Sequence, residues 1–207
     1  MNKNKIETRS YDGDVKMSPE GRHVEGYALV FDVESRDLGF YEKISRSAIT
    51  QELVDSCDIF ALFNHDENKV LARSNSSLTL TIDERGLKYE FDAPKTNLGD
   101  ELLEHIERGE MTGSSFAFAV DWNDKEAQKW ERRDGITYRT INKISAIFDV
   151  SPVFSPAYDA TSVSQRALDE ARELEDKEKE AIEEARKKEL YDKLDSKMKE
   201  IEDLCET

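Results

Sequence analysis

The chain reads MTGSSFAFAV from residue 111 to residue 120. Successive side chains of a β-strand point to opposite faces of the sheet, so this segment predicts a strand with one large face and one small face. The large face comprises Ser114, Phe116, Phe118, Val120 and Trp122. The small face comprises Gly113, Ser115, Ala117, Ala119 and Asp121. We expect the large face to lie in the core, which makes Ser114 a packed hydroxyl and Ser115 the better candidate for a reachable one.

The same period of two recurs in the first 165 residues and indicates a sheet-rich domain. Residues 23–31 and 78–82 alternate in this way and predict strands. Residues 83–86 separate two such runs with the length and the glycine that are typical of a hairpin, and residues 133–136 give a second hairpin signal.

Two segments predict helices instead. One is capped by Ser47 and includes Leu53 and Val54. The other begins at Thr96 or Asn97 and ends with Gly109 in the position of a C-terminal cap. Together these patterns predict a sheet-rich α+β domain with two or more helices.

The composition changes sharply near residue 165. All nine glycines, all four prolines and both tryptophans lie in residues 1–165. Residues 166–207 hold 26 charged side chains, 16 acidic and 10 basic, and one aromatic residue, Tyr191. The first block is long enough for one ordinary hydrophobic core, whereas the second is rich in helix formers and poor in large apolar residues. We therefore predict a domain at 1–165 and a charged helical tail at 166–207.

Overall charge and hydropathy narrow the function classes. The 46 acidic and 30 basic residues give a formal net charge of −16, which argues against nucleic acid as the main partner because phosphate binding requires a basic surface. No apolar run approaches the ~20 residues needed to cross a bilayer, and the N-terminus lacks the apolar core of a signal peptide. We expect a cytoplasmic protein with protein partners, and reduced thiols without chemistry at Cys57 and Cys205.

A serine becomes a nucleophile when a positioned base, most often histidine, accepts its proton. The chain has three histidines. His23 lies within an apparent strand, and His105 lies between charged neighbours on the second helix. His65 is the strongest candidate because it follows the apolar run 58–63 and so places a titratable ring at the exit of a buried strand. A core-edge histidine satisfied by hydrogen bonds is the competing interpretation.

A third segment, residues 146–158, supplies a candidate acid. Strand alternation places Phe148 and Val150 on one face and Asp149 on the other, where its carboxylate could orient the histidine. The residues are equally consistent with a carboxylate that caps a turn before Pro152. Likewise, the serine pair by itself fits two residues that a strand merely tolerates.

Several short sequence blocks follow one another in an order and spacing that are more specific for a protein family than any single block. These blocks are Glu25-Gly26-Tyr27-Ala28-Leu29-Val30-Phe31, Tyr41-Glu42-Lys43-Ile44 with Ala48, Ala61-Leu62-Phe63-Asn64-His65-Asp66, Val70-Leu71-Ala72-Arg73, Gly86-Leu87, Gly109, Ser115-Phe116-Ala117-Phe118, Asp149-Val150-Ser151-Pro152-Val153 and Pro156-Ala157-Tyr158. Residues 5–163 thereby resemble the tailed-phage prohead maturation proteases, a serine peptidase family related to the herpesvirus assemblins.

This resemblance implies a fold and a catalytic triad. The fold would be a barrel-like antiparallel domain with flanking helices, followed here by the charged C-terminal helix. The catalytic residues would be His65, Ser115 and Asp149, with no metal and no other cofactor. The family more often has glutamate at the third position, and aspartate is one methylene shorter, so either the strand lies closer to the ring or the acid contributes less. Related assemblins use a second histidine there, which leaves His105 and His23 as alternatives.

The resemblance also implies a substrate and a location. Such a serine endopeptidase cleaves the scaffold, or the scaffold-like N-terminal segment of the major capsid protein, and usually itself. The location implied is the interior of the assembling procapsid in the host cell cytoplasm. A homodimer or higher oligomer there is a further implication, with neither nucleic acid nor membrane as a partner.

Two other function classes and the role of the tail complete the expectations. The domain could be a catalytically silent assembly protein, or a metal hydrolase using His65 and Asp66, although a vicinal pair rarely supplies convergent ligands. The charge-rich tail is typical of a solvated or partly disordered helix, which we expect for the isolated protein. A narrow apolar stripe recurs every three or four residues, and the sharper hypothesis is that it docks on a helical scaffold segment, unless maturation removes the tail. The stripe comprises Leu190, Leu194, Met198, Ile201 and Cys205, and a weaker upstream stripe comprises Leu168, Ala171, Leu174, Ala181 and Ala185.

Overall fold

The computed structural model describes residues 6–11, 15–19, 21–154 and 162–205. The strands are Ile6–Tyr11 (β1), Lys16–Met17 (β2), His23–Val30 (β3), Tyr41–Ile44 (β4), Phe60–Phe63 (β5), Asp66–Arg73 (β6), Leu78–Ile82 (β7), Gly86–Asp92 (β8), Gly113–Ala119 (β9), Gln128–Arg133 (β10), Ile136–Ile141 (β11) and Ala146–Val153 (β12). The α-helices are Gln51–Ser56 (α1), Asn97–Glu107 (α2) and Ser162–Cys205 (α3), with a 3₁₀ turn at Arg46–Ala48. The sheet-rich α+β class predicted from the sequence is confirmed.

The strands form three sheets, and none of them closes into a barrel within the described residues. Their orders are β1-β9-β12-β5-β6, β2-β3-β8-β7 and β10-β11-β4. Most pairs are antiparallel, as expected, but β12 with β5 and β11 with β4 are parallel. The predicted serine strand, β9, is a central strand of the five-stranded sheet.

The main core includes the large face of β9 and residues of the four-stranded sheet. Phe116, Phe118 and Val120 are buried, as are Leu87 and Tyr89 of β8. Gly26 of β3 permits close packing here, because a Cβ at this position would lie 2.4 Å from the Tyr89 hydroxyl and 2.9 Å from Ser114 Oγ.

Both predicted hairpins are present. β7 pairs with β8 across residues 83–85, and β10 pairs with β11 so that Arg133 lies opposite Ile136. The two residues between them, Asp134 and Gly135, both have positive φ, as a type I′ turn requires.

One helix was predicted correctly and the start of the other was wrong. Thr96 caps α2 by accepting from the Gly99 N–H, and Gly109 follows its end with φ +68°. Ser47, by contrast, is not the cap of α1, because residues 46–48 form a 3₁₀ turn. The cap is Thr50, whose side chain accepts from the Leu53 N–H.

The chain divides into two compact units, residues 1–164 and 165–207. Almost all of the second unit is α3. Leu168 and Ala171 are buried, whereas Ile182, Leu190, Tyr191 and Leu194 are exposed. Leu174, Met198, Ile201 and Cys205 of the predicted stripes, and residues 156–158, lie outside the residues whose side chains are described.

No described helix has the length and apolar character needed to span a membrane.

Candidate active site

Three side chains predicted from separate segments form one hydrogen-bonded chain. His65 Nδ1 lies 2.7 Å from Asp149 Oδ1, and His65 Nε2 lies 2.6 Å from Ser115 Oγ. The ring thus bridges an acid and a hydroxyl. This arrangement holds the tautomer with hydrogen on Nδ1 and leaves Nε2 to accept the hydroxyl proton.

A two-residue turn between β5 and β6 presents the imidazole ring. Phe63 pairs with Asp66, and the residues between them, Asn64 and His65, have φ values of +54° and +60°. Two consecutive positive φ values are the signature of a type I′ turn. The Asn64 N–H donates to the carbonyl oxygen of Pro152 at 3.1 Å, which ties the turn to β12.

The acid lies on β12, next to an irregularity in the strand. The pairing of β12 with β9 shifts register between Ile147 and Asp149. Alternation predicted that Phe148 and Val150 share one face, and this was wrong. Phe148 is 36% exposed, whereas Val150 is fully buried. Asp149 still points away from the core toward His65, and its side chain is 12% exposed.

Ser151 gives the acid a second donor. Its Oγ donates to Asp149 Oδ1 at 2.7 Å, the same oxygen that faces the histidine ring. Ser151 is fully buried and lies opposite Ser115 in the β9–β12 pairing. A carboxylate that accepts two hydrogen bonds is held in one orientation, so Ser151 helps to fix the acid against the ring.

Ser115 is enclosed, which differs from the reachable hydroxyl predicted from the sequence. The residue has no exposed surface. Ser10 of β1 and Ser151 of β12 lie beside Ser115 in the sheet, and the His65 ring contacts its hydroxyl. Ser115 Oγ also contacts β1, where the Arg9 carbonyl oxygen at 2.9 Å competes with His65 Nε2 for its hydrogen and Ser10 Oγ donates to it at 2.9 Å. A substrate carbonyl must displace neighbouring atoms to reach it.

Ser114 has the packed position predicted for it. Its hydroxyl lies 2.8 Å from the Tyr89 hydroxyl on the opposite face of β9, and the residue is fully buried. The strand alternation therefore separated the two serines correctly.

The other candidate residues have partners of their own. His23 Nδ1 lies 3.1 Å from Asp92, and His105 Nδ1 lies 2.6 Å from Glu110. Asp66 accepts from the backbone N–H of Asn68 at 2.9 Å. Asp149 is the carboxylate that contacts the His65 ring, whereas Asp66 is engaged in its own turn.

The sequence matches a known protein family. Residues 5–177 match the sequence profile of the caudovirus prohead serine proteases. The chain belongs to this family. A search of curated proteins found no significant match. One similar solved structure is that of the bacteriophage T4 capsid assembly protease, with 12% identity, a TM-score of 0.44, and coverage of 71% of this chain and 96% of the T4 chain.

In this prohead protease family member, a buried cluster of four charged residues holds β1 beside the serine strand. Arg9 donates to Glu42 at 2.6 Å and to Glu7 at 2.8 Å. Arg139 of β11 donates to the same two carboxylates. All four side chains are at most 6% exposed.

Ion pairing within this cluster shifts the pKa values of Glu7 and Arg9. Burial by itself would raise the pKa of Glu7, but the guanidinium groups of Arg139 and Arg9 outweigh it and lower that pKa from 4.5 to about 2. Burial would lower the pKa of Arg9, yet Glu42 and Glu7 raise it. Arg139 also packs over Trp122 and Trp130, with its guanidinium carbon 5.5 and 5.3 Å from the ring centroids. The cluster is therefore a fully charged, paired network.

Two site residues were missed by the sequence analysis. Ser10 was missed because β1 shows no apolar alternation, since Glu7 and Arg9 occupy its buried positions. Ser151 was noticed only as part of a matched block. Its position two residues after Asp149 on one strand places both side chains on one face, and that spacing was the available signal.

Proposed function

We propose that this chain is a serine endopeptidase that cleaves scaffold or N-terminal capsid-protein segments, and itself, during phage procapsid maturation. The observation that carries the proposal is the hydrogen-bonded chain from Asp149 through His65 to Ser115. Membership of the prohead serine protease family supports the substrate class and the setting that we propose.

The reaction is acyl transfer by the triad. Ser115 Oγ attacks the carbonyl carbon of the scissile peptide while His65 Nε2 accepts the hydroxyl proton, and the carbonyl electron pair moves onto oxygen. When the tetrahedral intermediate collapses, the C–N bond breaks and His65 protonates the leaving amine. Water then cleaves the Ser115 ester with His65 again acting as the base. Asp149, held by Ser151, stabilises the imidazolium that forms in each half of the reaction.

The tail would carry the protease to its substrate. Leu190 and Leu194 of α3 are 60% and 49% exposed, and neighbouring pairs such as Glu189 with Lys193 stabilise the helix one turn apart. An exposed apolar stripe bordered by charges suits a helical partner. We assign this partner as the scaffold segment.

The decisive experiment uses the natural substrate. The chain is coexpressed with the phage's major capsid protein, and mass spectrometry identifies the capsid-protein termini. We expect new termini with the wild-type chain and none with Ser115→Ala or His65→Ala, because the triad acts as a unit and the losses do not add. Ser114→Ala is the matched control, and it should retain processing. Intact capsid protein beside the wild-type chain, or processing that survives Ser115→Ala, would refute the proposal.

A catalytically silent assembly protein is the second candidate. The observation in its favour is that Ser115 has no exposed surface. Under this alternative the capsid protein keeps its termini with every variant, and Ser115→Ala procapsids assemble and mature like those made with the wild-type chain.

A further inference from the structure

The hydroxyl of Ser10 contacts the proposed nucleophile from the neighbouring strand. Ser10 lies directly opposite Ser115 in the antiparallel pairing of β1 with β9. The two Oγ atoms are 2.9 Å apart, which is a hydrogen-bond distance. Ser10 is half-buried at the edge of the sheet, whereas Ser115 is fully enclosed.

The number of hydrogens at Ser115 decides which serine is the donor. A serine hydroxyl carries one hydrogen and two acceptor lone pairs. Two neighbours compete for the hydrogen of Ser115: the Arg9 carbonyl oxygen at 2.9 Å and His65 Nε2 at 2.6 Å. In either arrangement none remains for Ser10. The O–H of Ser10 therefore points at the oxygen that reacts.

We propose that Ser10 is a catalytic residue that stabilises the negative charge formed when Ser115 attacks a carbonyl. Two oxygens bonded to one tetrahedral carbon lie closer together than hydrogen-bonded atoms do. A donor that contacts Oγ can therefore reach the new oxyanion by rotating about its own Cα–Cβ bond, within the ~2.7–3.1 Å at which such donors act. Ser10 keeps its own proton, since the proton of Ser115 moves to His65. This inference rests on the proposed hydrolase function.

The buried charge cluster explains why Ser10 can act as a fixed donor. Electrostatic stabilisation is strongest when the donor is held close to its final position before the reaction, so that only the hydroxyl has to turn and the strand does not move. Glu7 and Arg9 lie on the opposite face of β1 from Ser10 and pair with Glu42 and Arg139. These pairs anchor the strand on both sides of Thr8 and set the position of Ser10 relative to Ser115.

The test measures hydrolysis of p-nitrophenyl acetate by the full-length chain, with kcat and KM determined separately. Ser10→Ala removes the donor, and we expect kcat to fall by roughly 100-fold with KM little changed, as for loss of one oxyanion donor. Ser10→Thr retains a hydroxyl on a strand-compatible side chain and should recover most of kcat. Thr8→Ala, an exposed residue on the same face of β1, is the control and should match the wild-type chain.

Each result separates the inference from the proposed function. Hydrolysis that Ser115→Ala abolishes but Ser10→Ala leaves unchanged would overturn the role of Ser10 and leave the protease intact. Equal losses in Ser10→Ala and Ser10→Thr, at unchanged melting temperature, would show that packing rather than the hydroxyl matters, as would a change confined to KM. Absence of any hydrolysis that depends on Ser115 in the wild-type chain would count against the hydrolase itself.

Discussion

His65 occupies a backbone conformation that glycine adopts more easily. Its φ of +60° places it in the left-handed region, at the second position of a type I′ turn where glycine is preferred. A residue other than glycine in this region carries roughly 1–2 kcal/mol of unfavourable backbone energy. The turn thus gives up stability so that the ring can reach both Asp149 and Ser115.

This strain predicts that glycine at position 65 gives a more stable protein than alanine, the reverse of the usual order in a strand. His65→Ala and His65→Gly both remove the ring and should both be inactive, but His65→Gly should be the more stable of the two by roughly 1 kcal/mol. Urea unfolding of the two variants measures the difference. In β6, where the backbone is extended, Glu67→Gly should instead be less stable than Glu67→Ala. If His65→Gly were also the less stable variant of its pair, the turn would not be strained.

The same residues show what the sequence could and could not predict. Strand patterns made His65, Ser115 and Asp149 candidates and alternation distinguished Ser115 from Ser114, but only the family resemblance joined the three into one site. Enclosure of Ser115 could not be predicted, because it depends on which strands flank β9, and sequence gives no pairing order. The bulge at Phe148 was equally hidden, since a single extra residue leaves the apolar pattern of the segment intact.

The strand β1 could not be predicted from the sequence either. Its inward positions carry Glu7 and Arg9, and this polar pattern predicts no strand by hydrophobic alternation. Only their partners, Glu42 of β4 and Arg139 of β11, make the burial favourable, and those partners are 33 and up to 132 positions away. By contrast, both hairpins and α2 were predictable because their signals, a glycine-containing turn and a threonine cap, are local.

The ionised state of Glu7 predicts how the stability of the domain depends on pH. Its pKa falls from 4.5 to about 2 on folding. A lowered pKa stabilises the fold above the unfolded value, and this contribution is lost as the pH falls from 4.5 toward 2. At ~1.4 kcal/mol per pKa unit, the contribution is about 3 kcal/mol. The free energy of unfolding should therefore fall steeply across this window.

Glu7→Gln is the corresponding variant. It should be less stable than the wild-type chain at pH 7, by about 3–5 kcal/mol, because it breaks a buried ion network. Its free energy of unfolding should also depend less on pH between 4.5 and 2, as measured by urea unfolding at several pH values. Glu84→Gln, an exposed glutamate in the β7–β8 connection, should behave like the wild-type chain at every pH. Parallel pH profiles for the wild-type chain and Glu7→Gln would contradict the assignment.

The proposed catalytic residues and the charged tail lie in different units of the chain. The first compact unit, residues 1–164, contains the proposed catalytic residues Ser115, His65 and Asp149, and the family match ends at residue 177. Beyond that point α3 exposes Leu190 and Leu194 among charged neighbours. Two exposed leucines one helical turn apart add little to the stability of an isolated chain, and we propose that they dock on the scaffold segment.

Truncation after Lys177 tests this division of roles. We expect the shortened chain to hydrolyse p-nitrophenyl acetate at the wild-type rate, because Ser115, His65 and Asp149 remain, but to enter procapsids much less efficiently when coexpressed with capsid protein and scaffold. Quantifying the protease in purified procapsids measures incorporation.

The full-length double variant Leu190→Asp/Leu194→Asp should reproduce the loss of incorporation, since two carboxylates on the stripe oppose apolar docking. Ile182 is 67% exposed but lies off the stripe, so Ile182→Asp is the matched control and should enter normally. Normal incorporation of the double variant would show that the stripe does not deliver the protease.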